Sequence, residues 1–314
     1  MEWAFVFPGQ GAQYVGMGQE LMDRYPIAAE TFREADEALE FSLTNLCREG
    51  PAEQLRLTYY TQPALLTMGV AAYRVFAAEC PLRPAAVAGH SLGEYTALVA
   101  AGALSFADAV RLVHLRGRWM DEAVPAGHGA MAAVLGLSES ELDSVCREVS
   151  SSGEVVELAN LNCPGQIVIS GTRAGVDAAG RLAKERGARR VLPLEVSGPF
   201  HCSLMRPAAS KLSTELAKTA IQDAQVPVVT NVDAQPVTKQ EDLRHALERQ
   251  LCSPVRFEAD VRRMLDIGVQ GFIEFGPGTV LSGLIRKVQR TAVTQHVEDE
   301  ASLRASLSAV KECE

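Results

Sequence analysis

The chain has 314 residues, 47% of them hydrophobic and 22% charged, which is enough apolar content to bury a sizeable core and predicts one large domain with a smaller companion. Its formal net charge of −9 argues against the basic face that phosphate neutralisation demands, so no nucleic-acid partner is expected. Seven cysteines, odd in number and without a C-x-x-C pair, predict neither a disulfide framework nor a zinc site.

The opening "MEWAFVFPGQ" has an acidic second residue, no basic n-region and a proline soon after its short apolar stretch, unlike a signal peptide. No apolar run reaches the ~18 residues of a membrane span. With reduced thiols as the ordinary cytosolic state, a cytoplasmic protein with no membrane partner is expected.

Trp3 to Phe7 predicts a buried strand, closed by Pro8 and Gly9 and emptying into the loop "PGQGAQYVGMG". That loop completes neither G-x-G-x-x-G nor the Walker pattern, so it is not read as a phosphate cradle. Helical spacing from Glu20 to Leu46 and from Tyr59 to Ala78 precedes a second strand at Ala85 to Ala88, which runs into a further helix. Strands alternating with helices predict a mainly parallel sheet covered on both faces.

The rhythm changes between Gly129 and Val196. "MAAVLGL", "VVELANLN", "QIVISG" and "ARRVLPLEV" read as strands. Between them lie "SESELDSVCREV", with a capping box from Ser138 to Glu141, and "AGVDAAGRLAKERG", a helix ending at Gly187. The order βαββαβ is the ferredoxin-like pattern, so residues 128–197 are predicted to form an inserted small domain within a large domain of residues 1–127 and 198–314. "VPVVTNV" and "GFIEFGPG" read as large-domain strands, and the polar segment from Gln289 onward as carrying one surface helix.

Chemistry concentrates at Gly89-His90-Ser91-Leu92-Gly93, a G-x-S-x-G between a strand and a helix. In such an elbow the glycines relieve crowding in a sharp turn that lifts the serine hydroxyl above the sheet edge. The same turn sets the N–H of Leu92 at a helix N-terminus, where it can donate to an oxyanion, and the loop "FPGQGAQ" can bring the N–H of Gln10 as a second donor. A serine nucleophile needs a base, and of six histidines His201 is the best placed, in the Gly-Pro loop "VSGPFHC" leaving a strand; His90 is read as pointing elsewhere on the turn.

Arg116 falls on the apolar stripe of its helix with Leu112, Val113, Trp119 and Met120. A buried arginine needs a partner, and two readings stand: a clamp for a substrate carboxylate near the serine, or a salt bridge to Glu94 or Asp121.

Taken together, "FPGQGAQYVGMG", "GHSLGEYTALVAAG", "LRGRWM", "NLNCPGQIVISG", "GPFHCSLM", "QLCSPVRF" and "EFGPGTVLSGL" resemble the malonyl-CoA:acyl carrier protein transacylase family, in that family's order from Phe7 to about Val297. The resemblance implies an α/β-hydrolase-like domain interrupted by a ferredoxin-like one. It implies ping-pong transfer of malonyl from malonyl-CoA through Ser91 to the phosphopantetheine thiol of acyl carrier protein, with coenzyme A thioester as substrate and no bound cofactor. His201 is then general base and acid, Arg116 the carboxylate clamp, and Gln10 and Leu92 the oxyanion hole. A main-chain carbonyl at Gln250 orients the histidine in place of a triad aspartate. Phe200 matches a position that goes with malonyl over methylmalonyl, and Asn160 and Asn162 match positions lining the cleft. The basic pair Arg189 and Arg190 is read either as meeting phosphates or an acidic carrier, or as a solvated basic spot. A monomer is the default expectation. The competing functions are a trans-acting acyltransferase of a polyketide synthase, an acyl-carrier-protein hydrolase and a non-catalytic carrier-binding module; the last would be expected to have lost Ser91 or His201.

Overall fold

A computed structural model describes residues 1–313. Among them, ten strands form two sheets: β1 (Trp3–Phe7), β2 (Ala86–Gly89), β3 (Gly129–Leu135), β4 (Val156–Cys163), β5 (Gln166–Thr172), β6 (Arg190–Pro193), β7 (Val228–Val229), β8 (Pro236–Val237), β9 (Gly271–Phe275) and β10 (Val293–Val297).

The larger sheet has the order β10-β9-β1-β2-β7-β8 and is parallel except where β8 pairs with β7. Its central strands are apolar on both faces because helices cover both: every residue of β1 and β2 is buried. Register sets Phe7 beside Gly89, so the loop after β1 and the turn after β2 leave the same sheet edge side by side. Open parallel sheets bind their ligands at this carboxyl edge. The 22-residue helix Thr58–Glu79, buried along most of its length, packs against the helix Phe106–Glu122 and joins β1 to β2.

The smaller sheet is antiparallel, in the order β4-β5-β3-β6. Its strands alternate by face. Ala132 and Val134 point to a core shared with the helices Glu139–Ser150 and Arg173–Glu185, while Met131 and Ala133 join the main core. The capping box at Ser138 and Glu141 is present. Strand β4 is irregular between Leu158 and Asn160, and there Val255 inserts beside it: its N–H donates to Ala159 O and its carbonyl accepts from the Leu161 N–H, both at 2.8 Å. A bulge re-aims the side chains around it, and here it tethers the small sheet to the segment before the helix Phe257–Asp266.

Four expectations change. The strand read over 188–196 is regular only at β6, although Leu194 still donates to Met131 O at 2.9 Å. The strand at 226–232 shortens to β7, because the residues after Val229 turn into a buried polar cluster. β8 was not foreseen. The segment after Gln289 holds β10, a parallel edge strand whose half-exposed "VTQHV" needs little apolar content, and then the helix Glu300–Glu312, which buries Leu303, Leu307 and Val310.

Candidate active site

The elbow is built by close approach. A Cβ at Gly89 would overlap the backbone of Gly93, and one at Gly93 would overlap the Phe7 carbonyl. Only glycines let the helix Gly93–Ala100 start this near the end of β1. Ser91 itself carries the strain, with φ of 52° in the left-handed region. Ser91 thereby stands above the sheet edge, lining a cavity of about 440 Å³ between the two sheets.

Four of the residues singled out from sequence meet there. Ser91 Oγ lies 2.7 Å from His201 Nε2, and His201 Nδ1 lies 3.0 Å from the main-chain carbonyl of Gln250. A carbonyl only accepts, so the proton sits on Nδ1 and Nε2 is left to accept the serine proton. His201 also has a left-handed φ, 59°. The segment behind it is held where Glu157 of β4 accepts the Ser203 N–H at 3.0 Å. Burial, with the nearby Arg116 charge as the second cause, pushes the His201 imidazole down to about 3, so it rests neutral.

Arg116 is 1% exposed. Neither expected salt bridge forms. Its Nη1 donates to Gln62 Oε1 at 2.8 Å, and its Nη2 donates to Gln250 Oε1 at 2.9 Å and to Ser91 Oγ at 3.1 Å. Tyr95 lies beneath the guanidinium, 5.3 Å from its ring centroid to Cζ. Arg116 Nε is buried without a partner. This buried cation makes no salt bridge, since Gln250 stands between it and Glu94, whose charge it still feels; with a donor to spare and one donor on the serine hydroxyl, it suits an incoming anion.

Gln10 and Leu92 both line the cavity. Among the described residues neither backbone N–H has an acceptor, although the neighbouring N–H groups of Ser91, Gly93 and Glu94 are all bonded. Phe200 and Asn160 line the same cavity. Asn162 does not: its Oδ1 meets His90 Nε2 at 2.8 Å, and with Phe257 also against it the His90 ring turns to these residues and makes no hydrogen bond to Ser91 or His201, although His90 is among the residues that line the cavity. Arg189 and Arg190 are outside it too, lining a separate cavity with Lys287, whose Nζ donates to Gln166 Oε1 at 3.0 Å.

Sequence reasoning missed Gln62 and the side chain of Gln250, and of its two readings of Arg116 the salt bridge to Glu94 or Asp121 does not form. Gln250 Nε2 donates to Ser91 O at 3.0 Å and to Glu94 Oε2 at 3.1 Å, so one residue touches the serine, the arginine and, through its carbonyl, the histidine. Burial pushes the Glu94 carboxyl up to about 7 against those hydrogen bonds. The available signals were a glutamine inside an otherwise apolar helical run at Gln62 and an acid one turn past the elbow at Glu94.

A strained serine bonded to a neutral histidine, two free N–H groups and an unsatisfied cation form a site for moving an acyl group that carries a negative charge. The acyl transferase domain family is matched over residues 4–305, which sets the class. More narrowly, the chain belongs to the malonyl CoA-acyl carrier protein transacylase family, being 54% identical to the transacylase of that name from Bacillus subtilis (strain 168), over 98% of this chain and 97% of the relative. It is 49% identical to the Escherichia coli (strain K12) transacylase, over 98% and 99%. Among solved structures it is similar to the malonyl CoA-acyl carrier protein transacylase of Coxiella burnetii, with a TM-score of 0.96, 44% identity and coverage of 98% and 97%. It is equally similar, with a TM-score of 0.96, 46% identity and coverage of 98% and 100%, to a chain from a type II PKS acyl-carrier protein in complex with its malonyl-transacylase.

Proposed function

We propose that this protein transfers malonyl from malonyl-CoA to the phosphopantetheine thiol of an acyl carrier protein by a ping-pong mechanism through an ester on Ser91, supplying fatty-acid synthesis. The observation that carries this reading is Arg116, a buried guanidinium 3.1 Å from Ser91 Oγ that is held by two amides and makes no salt bridge. A free carboxylate on the acyl group completes it, and a bound carboxylate holds the thioester carbonyl near the serine.

His201 Nε2 takes the proton of Ser91 as Oγ attacks the thioester carbon. The N–H groups of Gln10 and Leu92 receive the developing oxyanion, each worth about 3 kcal/mol of barrier by comparison with other acyl-transfer enzymes. Collapse breaks the carbon–sulfur bond, and His201 returns the proton to the departing coenzyme A thiolate. The carrier thiol then repeats the sequence in reverse, giving its proton to His201 and leaving with the malonyl group. Only a proton and an acyl group move, so the steps call on no cofactor and the coenzyme A thioester enters as substrate.

The order β4-β5-β3-β6 supports a ferredoxin-like small domain at 128–197, and the parallel sheet with its elbow supports a hydrolase-like large domain at 1–127 and 198–314. Asn160 then faces the acyl chain from the small-domain side, and Phe200 limits branching beside the carbonyl. Arg189 and Arg190, joined by Lys287, are assigned to the acidic face of the carrier or to coenzyme A phosphates. All of these residues come from one chain, so a monomer suffices. No helix among the described residues is long and apolar enough to cross a membrane, and cysteines without disulfides suit the reducing cytoplasm.

Intact-mass measurement after mixing with malonyl-CoA tests the reading. A malonyl adduct is expected that is absent in Ser91→Ala, absent with acetyl-CoA and lost in Arg116→Ala. Continuous release of coenzyme A without a carrier would favour a hydrolase, and neither adduct nor turnover would overturn the catalytic assignment.

A further inference from the structure

Behind the elbow, on the side away from the cavity, lies a buried polar cluster that the acyl-transfer steps do not use. At its centre is Asn231, 0% exposed, in the segment after β7. Its Oδ1 accepts the Ser91 N–H at 2.8 Å, and its Nδ2 donates to Gly89 O at 2.6 Å and to Asp260 Oδ2 at 2.9 Å. The amide therefore bridges the two ends of the sharp turn from outside. Its orientation is forced: both neighbours of Nδ2 are acceptors, and both neighbours of Oδ1, the Ser91 N–H and Gln250 Nε2 at 3.4 Å, are donors.

Asn231 is itself tied down on both sides of its main chain. Its N–H donates to Glu94 Oε2 at 2.9 Å, and its carbonyl accepts from the Arg256 N–H at 2.9 Å. Gln250 Nε2 holds the Ser91 carbonyl, and the same Glu94 oxygen anchors Gln250. Ser91 sits at a left-handed φ of 52° that residues other than glycine seldom adopt, and such strain persists only where the surroundings over-determine it.

We propose that Asn231, oriented by Asp260, is the positioning residue that sets the nucleophile: it clamps the Ser91 N–H and the Gly89 carbonyl together and so holds Oγ on the line between His201 and the acyl carbon. The proposal rests on the malonyl-transfer reading only for the choice of acyl donor. Loss of the amide leaves the Ser91 N–H, the Gly89 carbonyl and the Asp260 carboxylate without their partner in a site closed to water. The serine then relaxes by a fraction of its own reach, and a misplacement near 1 Å costs about 100-fold in rate.

The test is single-turnover acylation of Ser91, read as a rate constant per competent site, in wild type, Asn231→Ala, Asn231→Asp and the double variant Asn231→Asp/Asp260→Asn. Two donors are used: malonyl-CoA, and a fluorophosphonate, which forms a phosphorus–oxygen bond to Ser91 with loss of fluoride and needs no carboxylate clamp. The expected result is a fall of about 10- to 100-fold in rate per site for Asn231→Ala with both donors, at unchanged KM for malonyl-CoA. Asn231→Asp sets a second buried carboxylate against Asp260 and is slow as well. The double variant restores one amide to that pair, which can donate to the carboxylate at 231; nothing there donates to the Gly89 carbonyl, so the recovery is partial, several-fold over Asn231→Asp.

A folding defect alone would lower the number of competent sites and leave the rate per site untouched, and that result overturns the proposal. So does wild-type speed in folded Asn231→Ala, or absence of recovery in the double variant. If Asn231→Ala does not fold, the two remaining variants decide by the same comparison; if none folds, Asn231 is a folding residue and the proposal fails. Wild type that reacts with the fluorophosphonate but takes no malonyl sinks the malonyl reading, while the fluorophosphonate rates still judge Asn231.

Discussion

The front and the back of the elbow are made differently. At the front, Gly89, Ser91, Leu92 and Gly93 lie within five residues of chain, and their geometry follows from one strand running into one helix. At the back, Asn231 comes from the end of β7, which pairs with β2, while Gln250 and Asp260 come from the helices Gln240–Gln250 and Phe257–Asp266, so the three meet only in the folded chain. Local chemistry places a reactive group, and remote chemistry holds it still. The two should fail in different ways.

The largest effect belongs to the front. On the proposed mechanism Ser91→Ala removes the atom that forms the ester, so acylation is expected to drop by at least about 10⁴-fold with no covalent adduct by mass, while the fold survives. Gly93→Ala should break the same region through packing. Its Cβ would collide with the Phe7 carbonyl, which is backbone and has no rotamer to move to, so a loss of about 3 kcal/mol or more in unfolding free energy is expected in chemical denaturation.

Arg116 lies between the two regions, touching Ser91 on one side and Gln250 on the other. Arg116→Ala is expected to lower malonyl transfer by about 100-fold or more in kcat/KM, the ordinary cost of deleting a charged partner in a dry site. It should also move the pH profile. His201 is held near 3 first by burial and then by the Arg116 charge, both of which disfavour the protonated ring. In wild type the acid limb of kcat/KM, which reports the free enzyme, should therefore fall well below the ordinary histidine range near 6.5. Removing the arginine charge raises the histidine pKa and moves that limb upward, but burial remains, so it stays short of 6.5. A limb that does not move between the two proteins would mean that the arginine charge is not felt at His201.

The same division explains what was legible in the sequence. Strand β1, the elbow, the capped helix after Ser138 and the alternation of the small-sheet strands are stated locally, in periodicity and in glycine spacing. Arg116 was legible as a charge on an apolar stripe, but its partners were not. Glu94 and Asp121 were the obvious choices by charge, and the structure gives it two amides, Gln62 and Gln250, that no charge rule would pick. Asn231 lay inside a predicted strand and carried no signal at all, because a buried asparagine is read from its acceptors and donors, which are contributed by Gly89, Ser91 and Asp260. β10 was missed for the opposite reason: an edge strand with half-exposed residues needs no apolar run to exist.

The smallest effect tests a residue of the cavity wall that is linked to neither region by hydrogen bonds. Phe200 is nearly buried beside the reacting atoms, and a Cβ at Gly198 would already press on its ring, so the ring has little freedom to swing away. If its bulk is what rejects a branched acyl group, Phe200→Ala should raise kcat/KM for methylmalonyl-CoA relative to malonyl-CoA. One methyl group in an apolar wall is worth only about 1–3 kcal/mol, so a shift in the ratio of about 10- to 100-fold is the most that space alone can give. Competition of the two thioesters for one enzyme sample, read by adduct mass, measures that ratio directly. The malonyl rate itself should change little, since Phe200 donates no hydrogen bond to the serine, the histidine or the arginine. A fall in malonyl acylation as large as the change in selectivity would make Phe200 a support for His201, its neighbour in the chain, and not a gauge of acyl width.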